Sequence, residues 1–521
     1  MPTKQILKDQ PSTKKKITFF SSVLLVIGSC IGAGIFFKND AILTNTHDSI
    51  VLSVIAWLVA IFGILCISLT LADLVKGSGA WNSLGIIGWI RGFCKTGWYK
   101  GFRNFMMFIY LPTNFFFMPY YSIQSLQDAL HIFGTDISNW LVILLSAIVM
   151  IYFVTTCGIS TKLASVQNNI VTYVKFLPLI FAFVVGFIIF ITHNGHPLNP
   201  VWPITPAPPP NPVPKTLIQY SATLGIIASI PAIFFAFDGF YAASASTHEL
   251  KEPEKSSLGM ALGIAIVAAI YVLISLGMLL GSPGGGIDGF IHQWETSLWW
   301  KIICGTMSLF IVFAVFGVIN GFALYGFAFY RSLIKFNEAP FSRWINQKMT
   351  TNKNHYFIWY TLILYACTFI LLTVIGCFYY NHMSTDYGNV VNRIYSFCDL
   401  ISNWTSLFVF VALGIAVMGA LHKKTHKLIN IKQPTRYFIL FAIISIALIF
   451  LSSIYETTST IFDLIITIQY QQTYTDVALS EYLIPAILQT LTLLIFVLIV
   501  IYPLLKEENR QWTQPPRHQL W

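Results

Sequence analysis

Two hydrophobic segments of this chain are interrupted by glycine, and both interruptions free backbone polar groups for chemistry. The first segment reads Gly28-Ser-Cys-Ile-Gly-Ala-Gly34, and the second reads Phe235-Ala-Phe-Asp-Gly239. A helix that spans a membrane satisfies its backbone polar groups internally, and opened backbone is tolerated only where it lines a cavity or a site. Such a pair of interrupted segments in corresponding halves of a chain indicates the binding site of a transporter.

The first interruption suits an anion. Gly32, Ala33 and Gly34 are small residues at the start of a predicted half-helix, so a ligand can approach their backbone N–H groups closely. The positive end of the helix dipole favours a carboxylate at that point. The alternative is close packing between helices through small residues, and the presence of a second interruption favours the binding site.

The second interruption suits a cation. A half-helix that ends near Ala236 to Asp238 leaves backbone carbonyl oxygens free, and these attract an ammonium group. Since an amino acid carries both charges on one carbon, it can bridge the two interruptions. An aromatic surface that could cover the ligand surrounds the second one, although core packing explains any single ring. The rings belong to Phe234, Phe235, Phe237 and Phe240.

Ionisable residues inside the apolar segments are few, and each is a candidate for function. Lys175 could switch its charge during a transport cycle, or its fixed ammonium could occupy the place where another carrier binds sodium. The alternative is a side chain that snorkels to the interface. Asp238 could attract a cation or hydrogen-bond the opened backbone. Asp399 lies near a predicted helix end, which favours an interfacial position.

The composition places these segments in a membrane. Of the 521 residues, 56% are hydrophobic and 10% are charged, and the mean hydropathy is +0.69; a soluble domain carries about 25% charged residues. At about 20 apolar residues per span, the sequence predicts an all-α polytopic membrane protein with about twelve transmembrane helices. Their predicted limits are 17–37, 50–74, 102–127, 139–157, 165–192, 217–246, 258–281, 299–330, 356–380, 395–420, 436–456 and 482–505.

The order of the spans predicts an inverted repeat. Spans one to five form a first repeat (17–192) and spans six to ten a second (217–420), and each repeat begins with an interrupted helix. Because five crossings are an odd number, the second repeat starts on the opposite side of the membrane. The predicted divisions are a basic cytoplasmic tail (1–16), the ten-helix transport core (17–420), helices 11 and 12 with their connecting loops (421–505) and a cytoplasmic C-terminal tail (506–521).

The distribution of Lys and Arg predicts the orientation. With the N-terminus inside, the outer loops hold Lys38, Lys215, Lys301 and Arg393, and Lys175 lies within a span, which leaves 26 of the 31 basic residues on the cytoplasmic side. Both termini are therefore expected in the cytoplasm, with the protein in the plasma membrane. The net charge of +10 then reflects topology and contact with anionic membrane lipid, and it argues against a nucleic-acid partner.

The spans contain no catalytic motif. The eight cysteines include no CxxC pair and no metal-ligand spacing, and neither paired carboxylates nor a nucleophile motif is present. We therefore expect a protein that is not an enzyme and that needs no cofactor and no bound metal. The sequence leaves open whether the protein is a monomer or a homodimer.

Five sets of motifs together resemble the amino acid–polyamine–organocation (APC) superfamily of permeases, which share the LeuT-type fold. The likeness runs through most of the ten-helix core. Each motif alone has low specificity, whereas five in the same order are strongly specific. They are Gly28 to Phe36; Ala72-Asp73 with Gly77-Ser-Gly79; Gln167 to Lys175; Phe235 to Phe240 with His248-Glu-Leu-Lys-Glu-Pro253; and Asn320-Gly321, Arg331 and Asn337-Glu-Ala-Pro340.

The resemblance implies roles for individual residues. The substrate carboxylate would meet the backbone amides of Ala33 and Gly34, and the amino group would meet carbonyls of both interruptions. Phe235 matches the aromatic gate, and Lys175 matches a lysine near the sodium position of sodium-driven relatives that is implicated in proton coupling. Many members have Ser in place of Ala33 and Trp or another residue at the gate. The expected substrate-binding residues are Cys30, Ile31, Gly32, Ala33, Gly34, Phe235, Ala236, Asp238 and Gly239.

The sequence therefore predicts a secondary active permease that moves amino acids by alternating access, as a symporter or an antiporter. The expected coupling ion is H+, and Na+ fits less well. A carrier of polyamines or other organic cations is the alternative, although a polyamine lacks a carboxylate for the first interruption. A membrane sensor that binds its ligand without moving it and a polytopic membrane enzyme are further alternatives.

Overall fold

Helices make up all the regular structure that can be described. The computed structural model describes residues 18–32, 34–78, 85–204, 216–241, 256–287, 289–291, 297–349, 355–379, 388–425, 437–473 and 479–506. Every regular element within these ranges is a helix, as the predicted all-α architecture requires. The predicted N-terminal tail, nearly all of the C-terminal tail and Ala33 lie outside the described residues.

The elements fall into two groups along the chain. Up to residue 192 they are α1 (Phe19–Cys30), α2 (Gly34–Asn45), α3 (Ile50–Ser78), α4 (Ile86–Phe93), α5 (Thr96–Phe105), a π-helical turn (Met106–Tyr110), α6 (Leu111–His131), α7 (Asn139–Ile159), α8 (Thr161–Val174) and α9 (Phe176–Thr192). From residue 217 they are a 3-10 turn (Leu217–Tyr220), α10 (Leu224–Ala228), α11 (Ile230–Phe237), α12 (Ser256–Gly281), a 3-10 turn (Pro283–Gly285), α13 (Leu298–Lys335), α14 (Ser342–Met349), α15 (His355–Cys377), α16 (Asn389–Thr425), α17 (Phe438–Thr473) and α18 (Leu479–Lys506).

The described helices include eight that are long and apolar enough to cross a membrane. They are α3, α7, α12, α13, α15, α16, α17 and α18. Each of the other four predicted spans is divided between two or more helical elements: α1 and α2; α5, the π-helical turn and α6; α8 and α9; and α10 and α11. The polytopic all-α architecture is therefore confirmed, and the total of twelve crossings and the inverted repeat stay predictions.

The prediction of one continuous helix over 165–192 is wrong. The backbone forms a turn at Lys175, which separates α8 from α9. Three residues later, Pro178 has no N–H to donate to the carbonyl of Val174, so the helical ladder lacks one hydrogen bond there. The interruption places the lysine side chain at a helix junction.

The predicted end of span eleven at residue 456 is also wrong, because α17 continues to Thr473. The sequence after 456 starts with four Ser and Thr residues (457–460) and is then still fairly apolar. In the structure, Thr457, Thr460 and Thr467 donate their hydroxyl hydrogens to carbonyls one turn earlier, at 2.7 to 2.8 Å. This intrahelical bonding lets polar residues continue an apolar helix.

Span three contains two prolines, and the irregular hydrogen bonding lies just before them. Met106–Tyr110 form a π-helical turn, Pro112 occupies the first turn of α6, and Pro119 lies inside that helix. The widened turn projects the carbonyl of Tyr110 toward the Asn114 side chain, which donates a hydrogen bond of 2.7 Å to it. Insertions of this kind are frequent at functional sites.

A partly buried ionic cluster fixes the short helices α4 and α5 to the loop after α13. Glu338 accepts hydrogen bonds from the Tyr99 hydroxyl and from Arg91, the latter at 3.2 Å, and Arg103 lies 3.7 Å from its second oxygen. Burial, followed by the hydrogen bond and charge of Glu338, raises the pKa of Tyr99. Glu338 belongs to the motif 337–340, so this motif holds three separate parts of the chain together.

Two helices of the core cross at backbone contact through glycine. Gly186 of α9 faces Gly277 and Gly281 of α12, and a Cβ atom on Gly186 would lie 2.1 Å from the Gly277 carbonyl oxygen. Small residues at such crossings let membrane helices approach each other closely. The packing of α9 on α12 therefore depends on the absence of a side chain at this point.

We predict that Gly186→Ala destabilises the protein by about 1 to 3 kcal/mol, since an added methyl group overpacks this contact. Thermal unfolding of the purified protein in detergent measures the effect. The matched control is Gly321→Ala, where the new methyl group meets no described atom within 4 Å. An equal change in both variants would contradict the proposed role of the crossing.

Candidate functional site

The first interruption is present where the sequence predicts it. Helix α1 ends at Cys30, α2 begins at Gly34, and Ile31 and Gly32 lie between them in non-helical backbone. Both Ile31 and Gly32 are buried, so the opened peptide groups are shielded by protein. A Cβ atom on Gly32 would lie 2.4 Å from the Val318 side chain of α13, which explains the need for glycine.

The second interruption is also present. Helix α11 ends at Phe237 because Asp238 adopts extended backbone, with φ −60° and ψ 142°. Gly239 follows with φ +99°, a conformation that side chains other than glycine's rarely adopt. The chain from residue 242 to 255, which would contain the continuation of this predicted span, lies outside the described residues.

The two interruptions lie in direct contact. A Cβ atom on Gly34 would be 2.4 Å from the Ala236 Cα atom, so the first residue of α2 packs on the last turn of α11. Two segments that are 200 residues apart in the chain are thereby brought to one place. This contact is the geometric feature that the sequence predicted.

A tyrosine from a third helix lies between the two opened backbones. The Tyr271 hydroxyl of α12 is 2.9 Å from the Cys30 carbonyl oxygen and 3.1 Å from that of Ala236. A hydroxyl has a single proton to donate, so it serves one of the two carbonyls at a time. Sequence reasoning missed Tyr271, because nothing in its apolar surroundings distinguishes it from a core residue.

Lys175 binds the end of the first half-helix. Its ammonium group donates hydrogen bonds to the carbonyl oxygens of Gly28 and Ile31, the latter at 2.7 Å. The side chain is buried and bonded within the protein, which argues against the snorkelling alternative. A cation at the C-terminal carbonyls of a helix satisfies groups that have no intrahelical partner and lies at the negative end of the helix dipole.

Asp238 is bound by hydroxyl groups from other parts of the fold. One carboxylate oxygen accepts a hydrogen bond of 2.9 Å from the Gly239 N–H. The other accepts bonds of 2.8 Å from the Tyr110 hydroxyl and 3.3 Å from Ser406 of α16. The hydroxyl of Tyr241 is hydrogen-bonded to that of Tyr110. Hydrogen bonding of the opened backbone, one of the two roles considered for this side chain, is present.

Phe235 lies in an aromatic cluster on the side of the interruptions toward α2. Its ring packs against Phe117 and Tyr121 of α6, with centroid distances of 5.7 and 6.0 Å. The Lys38 ammonium lies 4.9 Å from the centroid of the same ring. Phe234 instead stacks on Phe410 of α16 at 3.9 Å, as a core residue does.

Lys38 is not an outer-loop residue, contrary to the prediction. It lies inside α2 with its side chain fully buried, and its ammonium donates hydrogen bonds to Asp399 at 2.7 Å, Ser402 at 2.9 Å and Tyr121 at 3.1 Å. The predicted span ended too early, because the half-helix after the break extends to Asn45. Asp399 is 47% exposed and completes an ion pair between α2 and α16.

Comparison with known protein families identifies the fold and its general role. A family model described as amino acid permease matches residues 17–488, which include both interruptions and Lys175. The chain belongs to the amino acid permease family. It is therefore a multi-pass membrane transporter and not an enzyme, as the sequence predicts. The resemblance to APC permeases is confirmed by this match.

Similar proteins in this permease family have several substrates. The chain is 32% identical to a Mycoplasma pneumoniae protein of uncharacterised function, over 95% of this chain and 94% of that protein. It is 27% identical to the serine/threonine exchanger SteT of Bacillus subtilis, over 59% of this chain and 65% of the exchanger. An arginine/ornithine antiporter of Latilactobacillus sakei is 24% identical over about half of each chain, 50% and 52%.

Solved structures of other transporters are also similar to the permease. A manganese transporter of Eremococcus coleocola superposes over 94% of each chain with a TM-score of 0.49 and 12% sequence identity. In the described part of the permease, no group of three or more His, Cys, Asp or Glu residues is placed to hold a metal ion.

We predict that the Lys38–Asp399 pair stabilises the fold through a measurable coupling. Lys38→Met and Asp399→Asn should each lower the free energy of unfolding, since each leaves the partner group without its counter-ion. The double variant should lose less unfolding free energy than the sum of the losses in the two single variants, with a coupling energy of about 0.5 to 3 kcal/mol.

Chemical or thermal unfolding in detergent measures this double-mutant cycle. The control is Asp136→Asn, which breaks the exposed pair of His131 and Asp136 at 2.7 Å and should change stability little. Strict additivity of the two substitutions would show that the ion pair contributes nothing of its own.

Proposed function

We propose that this permease carries amino acids across the plasma membrane by alternating access, either with protons or by exchange of one amino acid for another. The observation that carries the proposal is the contact of the two opened backbones at Gly34 and Ala236. Amide groups of one helix start and carbonyl groups of another helix end lie at one buried point. A zwitterion has the two charges that such a point can bind.

The substrate would bind between the two breaks after they move apart, because Gly34 and Ala236 are in direct contact in the structure. Its carboxylate would accept hydrogen bonds from the backbone amides of Ala33 and Gly34, and its ammonium would donate to the carbonyls of Cys30 and Ala236. Those two carbonyls are within hydrogen-bond distance of the Tyr271 hydroxyl, so the substrate amino group would take over a place that a neutral donor occupies. The Phe235 ring would cover the bound molecule.

Lys175 would contribute to coupling as a fixed cation. Its ammonium is bonded to carbonyls at the end of α1. If α1 moved relative to α8 and α9, either these hydrogen bonds would break or the Lys175 side chain would move with α1. The expected coupling ion is H+. With both termini in the cytoplasm, α1 would lie on the inner side of the break and α2 on the outer side.

The amides at the start of α2 favour a substrate with a carboxylate over an organic cation, because the helix N-terminus binds anions. Relatives include a serine/threonine exchanger and an arginine/ornithine antiporter, so the side chain of the substrate is left to experiment. A polyamine carrier would also leave the helix-start amides without a ligand.

We predict that the purified permease in proteoliposomes takes up one or more of the twenty amino acids and takes up no polyamine. Radiolabelled uptake and counterflow, each measured with and without a pH gradient, distinguish proton-driven transport from exchange. Binding without accumulation would identify a sensor and contradict the proposal. Accumulation of a polyamine alone would move the protein to the organic-cation class.

We predict that Gly34→Val abolishes both binding and uptake, since its side chain would collide with Ala236 at the point where the breaks meet. Size-exclusion chromatography and thermal unfolding establish that the variant is folded. Gly321→Ala, in open space on α13, serves as the control and should transport normally. Normal uptake by folded Gly34→Val would place the site elsewhere.

We predict that Lys175→Ala lowers uptake about tenfold or more at every pH, because buried carbonyls without a donor cost about 1 to 3 kcal/mol. The control Lys162→Ala removes an exposed lysine of α8 and should have no such effect. A pH profile parallel to that of the wild type is expected for a fixed cation. A flattened profile would instead identify Lys175 as the titrating group.

A further inference from the structure

A buried carboxyl group lies at the second interruption with neutral hydrogen-bond donors around it. Asp238 is 8% exposed. Its carboxylate accepts hydrogen bonds from Tyr110 in the π-helical turn, from Ser406 in α16 and from the backbone of Gly239. Two of these three donors therefore belong to elements other than the broken helix.

The titratable groups facing this carboxylate are tyrosines. They are Tyr110, Tyr241 of its own segment and Tyr325 of α13. In the part of the chain that the structure describes, no Lys, Arg or His forms an ion pair with Asp238. Helices α2, α3 and α16 pack against α11. Their acidic and basic residues are Lys38 and Asp40 of α2, Asp73 and Lys76 of α3, and Arg393, Asp399, His422, Lys423 and Lys424 of α16. Lys38 and Asp399 pair with each other. Lys423 donates a hydrogen bond to the Gly92 carbonyl, and no described ion pair joins any of these residues to Asp238.

A buried carboxylate without a counter-ion depends on its donors. Hydrogen bonds to the charged form favour that form, and loss of those bonds in a low-dielectric site favours protonation. The ionised state of Asp238 is therefore tied to the positions of Tyr110 and Ser406. A displacement of α11 relative to α16 and the π-helical turn would remove the donors and leave a group that must bind a proton.

We propose that Asp238 is a proton-binding site, and that its affinity for a proton changes as the permease alternates between its two open states. In the structure, hydroxyl and backbone donors surround the carboxyl group, and these donors favour its ionised form. In the opposite state, one proton enters from the water on the side then accessible and bonds to a carboxylate oxygen. It leaves to the other side when the donors return. This inference rests on the proposed transport function and names the group that couples it to protons.

Such a site links transport to pH by mass action, because a ligand that prefers one of two conformations shifts their populations. Lys175 is unlike Asp238 in this respect. Its ammonium is bonded to two backbone carbonyls, which cannot exchange a proton with it. The geometry therefore assigns the titrating role to the second break and a fixed charge to the first.

The test is the pH dependence of uptake and counterflow, each variant being normalised to its own maximum. Ser406→Ala and Tyr110→Phe each remove a hydrogen-bond donor to the Asp238 carboxylate, and this loss strengthens proton binding. The midpoint of the pH profile, the pH at which uptake is half-maximal, should therefore move to higher pH by about 0.5 to 1 unit. Asp238→Asn should abolish the midpoint. A merely structural role for these residues would change rates and leave the midpoint in place.

Each donor has a matched control of similar chemistry: Thr405 precedes Ser406 in the chain, and Tyr120 follows Tyr110 by ten residues. Thr405→Ala removes a hydroxyl that bonds its own helix, to the Ile401 carbonyl at 2.8 Å. Tyr120→Phe removes one that bonds Thr373 at 2.9 Å. Both controls should retain the wild-type midpoint. Unchanged midpoints in Ser406→Ala and Tyr110→Phe, or a wild-type midpoint in Asp238→Asn, would overturn the proposal.

A second measurement separates this proposal from the transport function. Infrared difference titration of the purified protein detects the C=O band of a protonated carboxyl group without any transport. The band should titrate in the wild type and be missing from the spectrum of Asp238→Asn. A protein that shows the band but moves no amino acid would contradict the proposed function and retain the proton site; equal spectra for both proteins would overturn the site.

Discussion

The structure depends on how backbone polar groups are satisfied where two helices are opened inside a membrane. Hydrocarbon offers no hydrogen bonds, so each freed N–H or C=O must find a partner within the protein. Two side chains provide much of this at the first break: the Lys175 ammonium bonds the carbonyls of Gly28 and Ile31, and the Tyr271 hydroxyl lies between the two breaks. A substrate with an ammonium and a carboxylate can replace such partners, and this makes the same place suitable for binding.

Two separate parts of the fold are held by different ion pairs. The buried Lys38 joins α2 to Asp399 of α16, next to the aromatic cluster around Phe235. Toward the other end of α6, Glu338 joins α4 and α5 to the loop after α13. Removing one partner of a shielded ion pair lowers the stability of the fold. Both contacts therefore favour discrete arrangements of the helices over gradual deformation. The breaks lie between these two fixed regions.

Much of the architecture could be predicted from the sequence, because hydropathy and glycine report directly on membrane helices. Both breaks lie at the predicted residues, and Lys175 is buried at a helix junction. Other features depend on tertiary contacts that no local pattern encodes. Tyr271 has no local sequence feature that distinguishes it from a core residue of an apolar helix. The sequence places Lys38 in a loop because the predicted span ends at residue 37, whereas α2 extends to Asn45. Helix α17 continues past its predicted end because hydroxyl groups bond its own backbone. Ala33 lies outside the described residues and its predicted role stays a prediction.

The central claim is that an amino acid binds where the two breaks meet, and the native thiol of Cys30 at the end of α1 tests it most directly. In a variant that retains Cys30 and has the other seven cysteines replaced, the rate of thiol modification is measured in membranes with and without the transported amino acid. The claim predicts that the substrate slows modification of Cys30 and leaves a variant that retains only Cys304 of α13 unaffected. Equal rates at Cys30 with and without saturating substrate would contradict it.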